Sequence, residues 1–248
     1  MLEDLISGSE YHVLDNSSLD PFIFSSKIVS LVLAFAIAVY AYQFYKIYHS
    51  LVLFGIILGF GFMALSDVFM VLASPALNDP TLFNLFFWFR LLATAYGFTF
   101  LALSYHHTRK DRETNTPILK ISILSIIPVF AILTITWFFN NPSLPPFSSY
   151  DEYFRTYSIC ALGYVFIKSF QYSVSHVRKD FVYLPIAYGI LWIGQFSLLF
   201  FALDKSLSSV VAAFVAKDVG LAIFAIMMYW ISKGKPSLNV GIKTPDEV

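Results

Sequence analysis

The sequence predicts an all-α protein, a bundle of seven transmembrane helices with its N-terminus outside and its C-terminus inside. Three observations carry this. Apolar residues make up 58% of the 248 and charged residues only 13%, against about 25% charged in an average soluble domain. With a mean hydropathy of +0.70, too little polar surface remains to cover a water-soluble globule. A bilayer core of about 30 Å needs about 20 apolar residues as a helix, and seven runs of that kind follow one another along the chain. The Lys and Arg residues gather in alternate loops, as cytoplasmic loops require.

The runs are Ser26–Phe44, Leu51–Ala73, Phe83–Tyr105, Ile118–Phe139, Glu152–Ser173, Val182–Leu203 and Leu207–Ile231. Polar and helix-breaking residues separate them, among them Asn78-Asp79-Pro80 and Asn140-Asn141-Pro142. Gly55 and Gly59 form a small-xxx-small pair in the second run, which lets a neighbouring helix approach closely. Pro128 and Pro185 are expected to kink the fourth and sixth helices, with freed carbonyls satisfied by neighbours. No second domain fits, so residues 1–248 form one membrane domain with a short outer tail and a short cytoplasmic tail. The first 20 residues are acidic and polar, unlike a cleavable signal peptide.

Orientation follows from charge. Lys46, Arg109, Lys110, Arg112, Lys120, Arg178, Lys179, Lys233, Lys235 and Lys243 fall on one side of the alternating topology. Lys27, Arg155 and Lys205 fall on the other, with most of the acidic loop residues. The first side is therefore cytoplasmic. Lys plus Arg equals Asp plus Glu at 16 each, so net charge names no partner. The single cysteine, Cys160, forms no internal disulfide. Soluble enzymes, disordered tails, nucleic-acid binders and disulfide scaffolds are excluded. The chain belongs in a cell membrane, in contact with lipid, alone, as a homo-oligomer or beside a partner membrane protein.

Ionisable groups inside hydrocarbon are costly and mark function. Setting aside those counted with the loops at the span ends, five remain: Asp67, Arg90, Lys168, Lys217 and Asp218. At about 1.5 Å per residue, Asp67 and Arg90 lie at one level in the outer half of adjacent helices, with opposite charges suited to pairing. Lys168 is near enough to the cytoplasmic surface to snorkel. Lys217 is close to the midplane, where an ammonium must be paired, neutralised or covalently modified. Burial favours the neutral amine, which is the form that condenses with an aldehyde. The structural alternative is an ion pair of Lys217 with Asp67 or Asp218. His106, His107 and His176 lie at the basic surface and lack a metal-binding spacing. No Ser-His-Asp set, phosphate loop or cysteine cluster is present.

Three local sequences resemble the microbial (type 1) rhodopsins. Phe87-Trp88-Phe89-Arg90 is similar to that family's aromatic-Trp-x-Arg in the third helix. Ala187-Tyr188-Gly189-Ile190-Leu191-Trp192-Ile193-Gly194 is similar to the sixth-helix run that packs around retinal. Ala216-Lys217 is similar to the Ala-Lys that carries the Schiff base. The resemblance implies retinal on Lys217, with Tyr188, Trp192 and Thr94 as pocket residues. Thr94 stands where the family has a tryptophan. The family's two carboxylates beside the Schiff base are here Ala93 and Ala213, and its cytoplasmic proton donor is Ser104. Asp67 is then the available counterion, with Arg90 beside it, and ordinary outward proton pumping is not expected.

The functional expectation is thus a retinal-binding, opsin-like photoreceptor or light-driven ion-moving protein, not an enzyme. An opsin-fold membrane subunit without retinal is the second class. A seven-helix membrane hydrolase is the third, because Gly59-Phe60-Gly61 and Ser66-Asp67 are similar to part of the lysoplasmalogenase-like pattern, whose second aspartate motif is missing.

Overall fold

A computed structural model describes residues 20–73, 80–107, 148–175, 183–204 and 207–233. These form six helices: α1 (Asp20–Tyr48), α2 (Leu51–Ala73), α3 (Pro80–His107), α4 (Ser148–Ser175), α5 (Tyr183–Asp204) and α6 (Leu207–Lys233). The fourth predicted span, Ile118–Phe139, lies outside the described residues, as does Pro128. Five helices are long and apolar enough to cross a membrane. The sixth, α4, falls short by composition because it carries Asp151, Glu152, Arg155 and Lys168 along with many Tyr and Ser residues.

Local signals explain several boundaries. α1 ends where His49 takes a left-handed conformation, φ 47°, and its N–H bonds back to the Tyr45 carbonyl at 2.9 Å. That is the αL cap, more often filled by glycine. α2 starts two residues later, with Phe54 N–H on the Ser50 carbonyl. Pro80 is the first helical residue of α3, where its missing N–H has no intrahelical partner to lose. The same reasoning corrects the expected kink at Pro185. That residue is in the first turn of α5, so no helical hydrogen bond is broken there.

Each helix packs on its sequence neighbour, and α6 closes the ring against α1. α2 and α3 approach most closely. A Cβ on Gly55 would collide with the Ser104 side chain, and one on Gly97 would lie 2.8 Å from the Gly59 carbonyl oxygen. Small residues thus let two backbones meet. Most neighbours are antiparallel, but two pairs are not. Trp88 meets Phe154, Thr99 meets Tyr157 and His106 meets Tyr164, so α3 and α4 run the same way. Lys27 lies over Phe214, Ser30 bonds Asp218 and Tyr40 meets Tyr229, so α1 and α6 do too.

α1, α3, α4 and α6 therefore begin at one end of the bundle, where α2 and α5 finish; we call it the Asp67 end. The other half has an aromatic centre. Phe60 and Phe224 rings lie 4.7 Å apart, Tyr188 meets Phe224 at 5.4 Å, and Tyr105 meets Tyr188 edge-on at 5.8 Å.

Candidate functional site

At the Asp67 end all six described helices contribute to one small polar cavity of about 60 Å³. α1 supplies Lys27, α2 Ser66 and Asp67, α3 Arg90 and Thr94, α4 Asp151, Arg155 and Ser158, α5 Gln195, and α6 Lys217. Apolar residues such as Met63, Phe98 and Phe214 complete the wall.

The centre is an ion pair. Lys217 Nζ lies 2.7 Å from Asp67 Oδ1 and 2.8 Å from Oδ2. Asp67 is 1% exposed, and the Lys217 side chain 17%. Helix geometry lets them meet although Lys217 is about 15 Å into α6 and Asp67 about 9 Å from the end of α2. Side chains tilt toward their helix N-terminus, and α6 begins at the Asp67 end, so the four-carbon stem spans the difference in level. Lys27 Nζ is 4.0 Å from the same Oδ1 and sits 4.3 Å from the centre of the Phe214 ring.

Around this pair the polar atoms are linked in order. Thr94 donates its hydroxyl proton to the Arg90 carbonyl at 3.0 Å. The 2.7 Å contact between Ser66 and Thr94 is therefore a donation from Ser66, since each hydroxyl has a single proton. Arg155 Nε donates to Asp151 Oδ2 at 2.5 Å, one helical turn apart, with both side chains buried. The Arg90 guanidinium carbon lies 5.2 Å from the centre of the Phe87 ring. Asp218, one residue on from Lys217, turns to α1 instead and accepts from Ser26 and Ser30, each at 2.6 Å. Lys168 is remote, at the opposite end, donating to Gln171 at 3.2 Å.

Of the residues singled out from sequence, Lys217, Asp67, Arg90 and Thr94 share this cavity. Tyr188 and Trp192 do not line it. Tyr188 is wholly buried in the aromatic centre. Trp192 faces α4, donating its indole N–H to the Ile159 carbonyl at 2.9 Å and stacking on Phe166, over Gly163. Both Asp67 oxygens accept from Lys217, the ion pair that sequence reasoning gave as the structural alternative, while Arg90, expected beside Asp67, shares the cavity wall.

Three cavity residues were assigned elsewhere or left without a role by sequence reasoning. Lys27 and Arg155 count there as charges facing the outer solution, and Asp151 as an outer loop acid. All three are buried, because α1 and α4 begin six and four residues before the predicted spans. A signal for each of them existed. Asp151 and Arg155 are one turn apart, and Lys27 falls between Ser26 and Ser30 in an otherwise apolar stretch.

Retinal, the group implied by the resemblance, needs an amine with a carboxylate partner and an apolar slot leading away from it. The amine and the carboxylate are here. The slot is not, among the described residues. Beside Lys217, α5 and α6 are in backbone contact: a Cβ on Gly194 would lie 3.2 Å from the Ala213 carbonyl, and one on Gly220 2.8 Å from Leu191 Cγ. The aromatic residues expected as walls are packed elsewhere, and the cavity that does adjoin Lys217 is lined by charges. The described residues therefore fit the amine end of such a group and not its polyene. No group of three or more His, Cys, Asp or Glu able to hold a metal occurs among them either. No protein-family model, curated protein or solved structure matches the chain.

Proposed function

We propose that the chain is a seven-span membrane protein that handles an ion through the buried polar cavity, with Asp67–Lys217 as a standing ion pair rather than an attachment point. This is the retinal-free branch of the opsin-like layout. The observation that carries it is the two-oxygen contact of Asp67 with Lys217 inside a wall of further charges. Buried pairs of this kind are poor stabilisers compared with apolar packing, so their concentration at one end points to use rather than to scaffolding. Ionisable groups at membrane depth are rare and characteristic of functional sites, ion and proton pathways among them.

The span number rests on direction. α3 and α4 run the same way, which supports a reading with one further crossing between them. The predicted span Ile118–Phe139 is the segment that would make it. For orientation, the burial of Lys27 and Arg155 removes them from the loop count, and the remaining excess of Lys and Arg lies opposite the Asp67 end. That end is then the outer one.

A second reading is favoured by one observation. A carboxylate in contact with the Lys217 amine is what a retinal imine on that lysine would need as counterion. The test separates the two. All-trans retinal is added to the purified protein in lipid nanodiscs, and visible spectra are recorded for wild type and Lys217→Ala. The ion-pair reading expects no wild-type pigment and a marked loss of thermal stability in the variant. A pigment that the variant lacks would overturn it in favour of the retinal reading.

A further inference from the structure

We propose that Asp218, with Ser26 and Ser30, is a reversible proton-binding site in the seam between α1 and α6. The inference goes beyond the ion-handling reading above, since none of these three residues lines the polar cavity.

Placement comes first. Asp218 lies two residues from the midpoint of α6, the part of a spanning helix farthest from either surface. A carboxylate at that depth is rare and costly, and proton relays are among the uses of such groups. The side chain is half-buried. Its chain neighbour Val219 is exposed, as is Val29 beside Ser30 on α1, so the seam opens toward lipid.

The charged groups nearby are turned elsewhere. On α6 the adjacent Lys217 gives its ammonium to both oxygens of Asp67, on α2. On α1 Lys27 falls between the two serines, with its ammonium 4.0 Å from Asp67 Oδ1 and over the Phe214 ring. The remaining titratable residues of α1 and α6 lie toward the helix ends. α5 also packs on α6. Between Leu184 and Leu203 its one titratable residue is Tyr188, whose ring is in the aromatic centre.

The bonding suits two protonation states. Ser26 donates to Asp218 Oδ2 and Ser30 to Oδ1, each at 2.6 Å, so the ionised form has one donor on each oxygen. An ammonium in that place would favour the charged form alone, whereas a hydroxyl both donates and accepts. When a proton from water adds to one carboxylate oxygen, a new O–H bond forms and donates to the serine it faces. That serine's own hydrogen swings to the carbonyl one turn earlier on α1, a bond serine makes readily in helices. The negative charge is lost, no covalent bond of the protein breaks, and both serines stay hydrogen-bonded. A carboxylate held by hydroxyls can therefore exchange a proton without leaving a polar group unpaired.

The test records infrared difference spectra of the full chain in lipid nanodiscs as pH falls from about 8 to about 3, which includes the ordinary carboxyl range. The expected result is a C=O stretching component of a protonated carboxyl that appears reversibly, is lost in Asp218→Asn and persists in Glu152→Gln, an exposed control on α4. Ser26→Ala and Ser30→Ala should each keep that component and move it to higher frequency, because one hydrogen bond to the carboxyl is gone. A merely structural clamp would change Tm and show no such component. If Asp218→Asn fails to fold, the frequency shift in the serine variants carries the test. A component that survives Asp218→Asn, or that neither serine variant moves, overturns the proposal. One that vanishes when sodium replaces choline at constant ionic strength assigns the oxygens to an alkali cation and overturns the proton assignment. Pigment formation with retinal would overturn the ion-pair reading of Lys217 and leave this result unaffected.

Discussion

The two halves of the bundle solve the problem of a helical interior in opposite ways. The half built on Phe60, Tyr105, Tyr188 and Phe224 is filled by rings meeting at 4.7 to 5.8 Å. The Asp67 half sets six charged side chains from five helices around a cavity. An aromatic ring brings dispersion contacts with many neighbours and asks for no specific partner. A buried charge has one acceptable arrangement and is costly in every other. The first half therefore holds the helices together, and the second constrains how each one is rotated. The difference is the ground on which an ion-handling role is proposed for the second half.

The largest expected effect breaks this comparison directly. Asp67→Leu or Lys217→Met should each destabilise the folded protein by about 3–5 kcal/mol, since each leaves a buried charge without its close partner. Asp67→Leu combined with Lys217→Met should recover most of that loss. Denaturant unfolding in mixed micelles, run as a double-mutant cycle, measures the coupling. A double variant no better than the singles would mean that the pair is held by its surroundings rather than by its own attraction.

A smaller effect belongs to the α2–α3 contact that carries Asp67 toward Arg90 and Thr94. Gly97→Ala forces a Cβ against the Gly59 backbone at 2.8 Å, and overpacking of this kind costs about 1–3 kcal/mol. Gly61, whose Cβ would meet nothing within 4 Å, is the control. Gly61→Ala should not destabilise the protein, since alanine favours a helix interior over glycine by about 0.5–1 kcal/mol. Equal losses in the two variants would show that the Gly59 contact is not their cause.

The smallest effect sharpens the placement of Trp192. Removing its indole donor with Trp192→Phe should cost about 1 kcal/mol for the lost bond to the Ile159 carbonyl. Should added retinal protect wild type but not this variant, Trp192 would belong to a ligand pocket after all.

Composition and spacing were enough to read a membrane bundle, five of its spans to within a few residues at most boundaries, and the special standing of Asp67 and Lys217. Bilayer physics is local: a run of apolar residues is either long enough or not, and a charge inside it is visible whatever the fold. The close approach announced by Gly55 and Gly59 is legible for the same reason, because a missing side chain acts at short range. α4 is the instructive exception. Its Asp151 fell just outside the predicted span and Arg155 was counted with the outer charges, yet in the bundle they pair one turn apart. A sequence window prices each charge singly and misses that compensation.

Tertiary structure alone decided which partner each charge takes. Asp67 and Lys217 are 150 residues apart, and whether Asp67 meets Arg90, Lys27 or Lys217 depends on the rotation of α1, α2, α3 and α6 about their own axes. Apolar faces that contact lipid and those that contact other helices have the same composition, so the sequence carries no strong signal for that rotation. Trp192 shows the consequence. Its spacing from Tyr188 suited a shared wall beside Lys217, but the turn of α5 set its ring on Gly163 and Phe166 instead. The sequence by itself determined that a membrane bundle with buried charge would form. The packing of helices on one another determined that the charge would be gathered into one cavity, because only there can cations on α1, α3, α4 and α6 reach the carboxylates on α2 and α4.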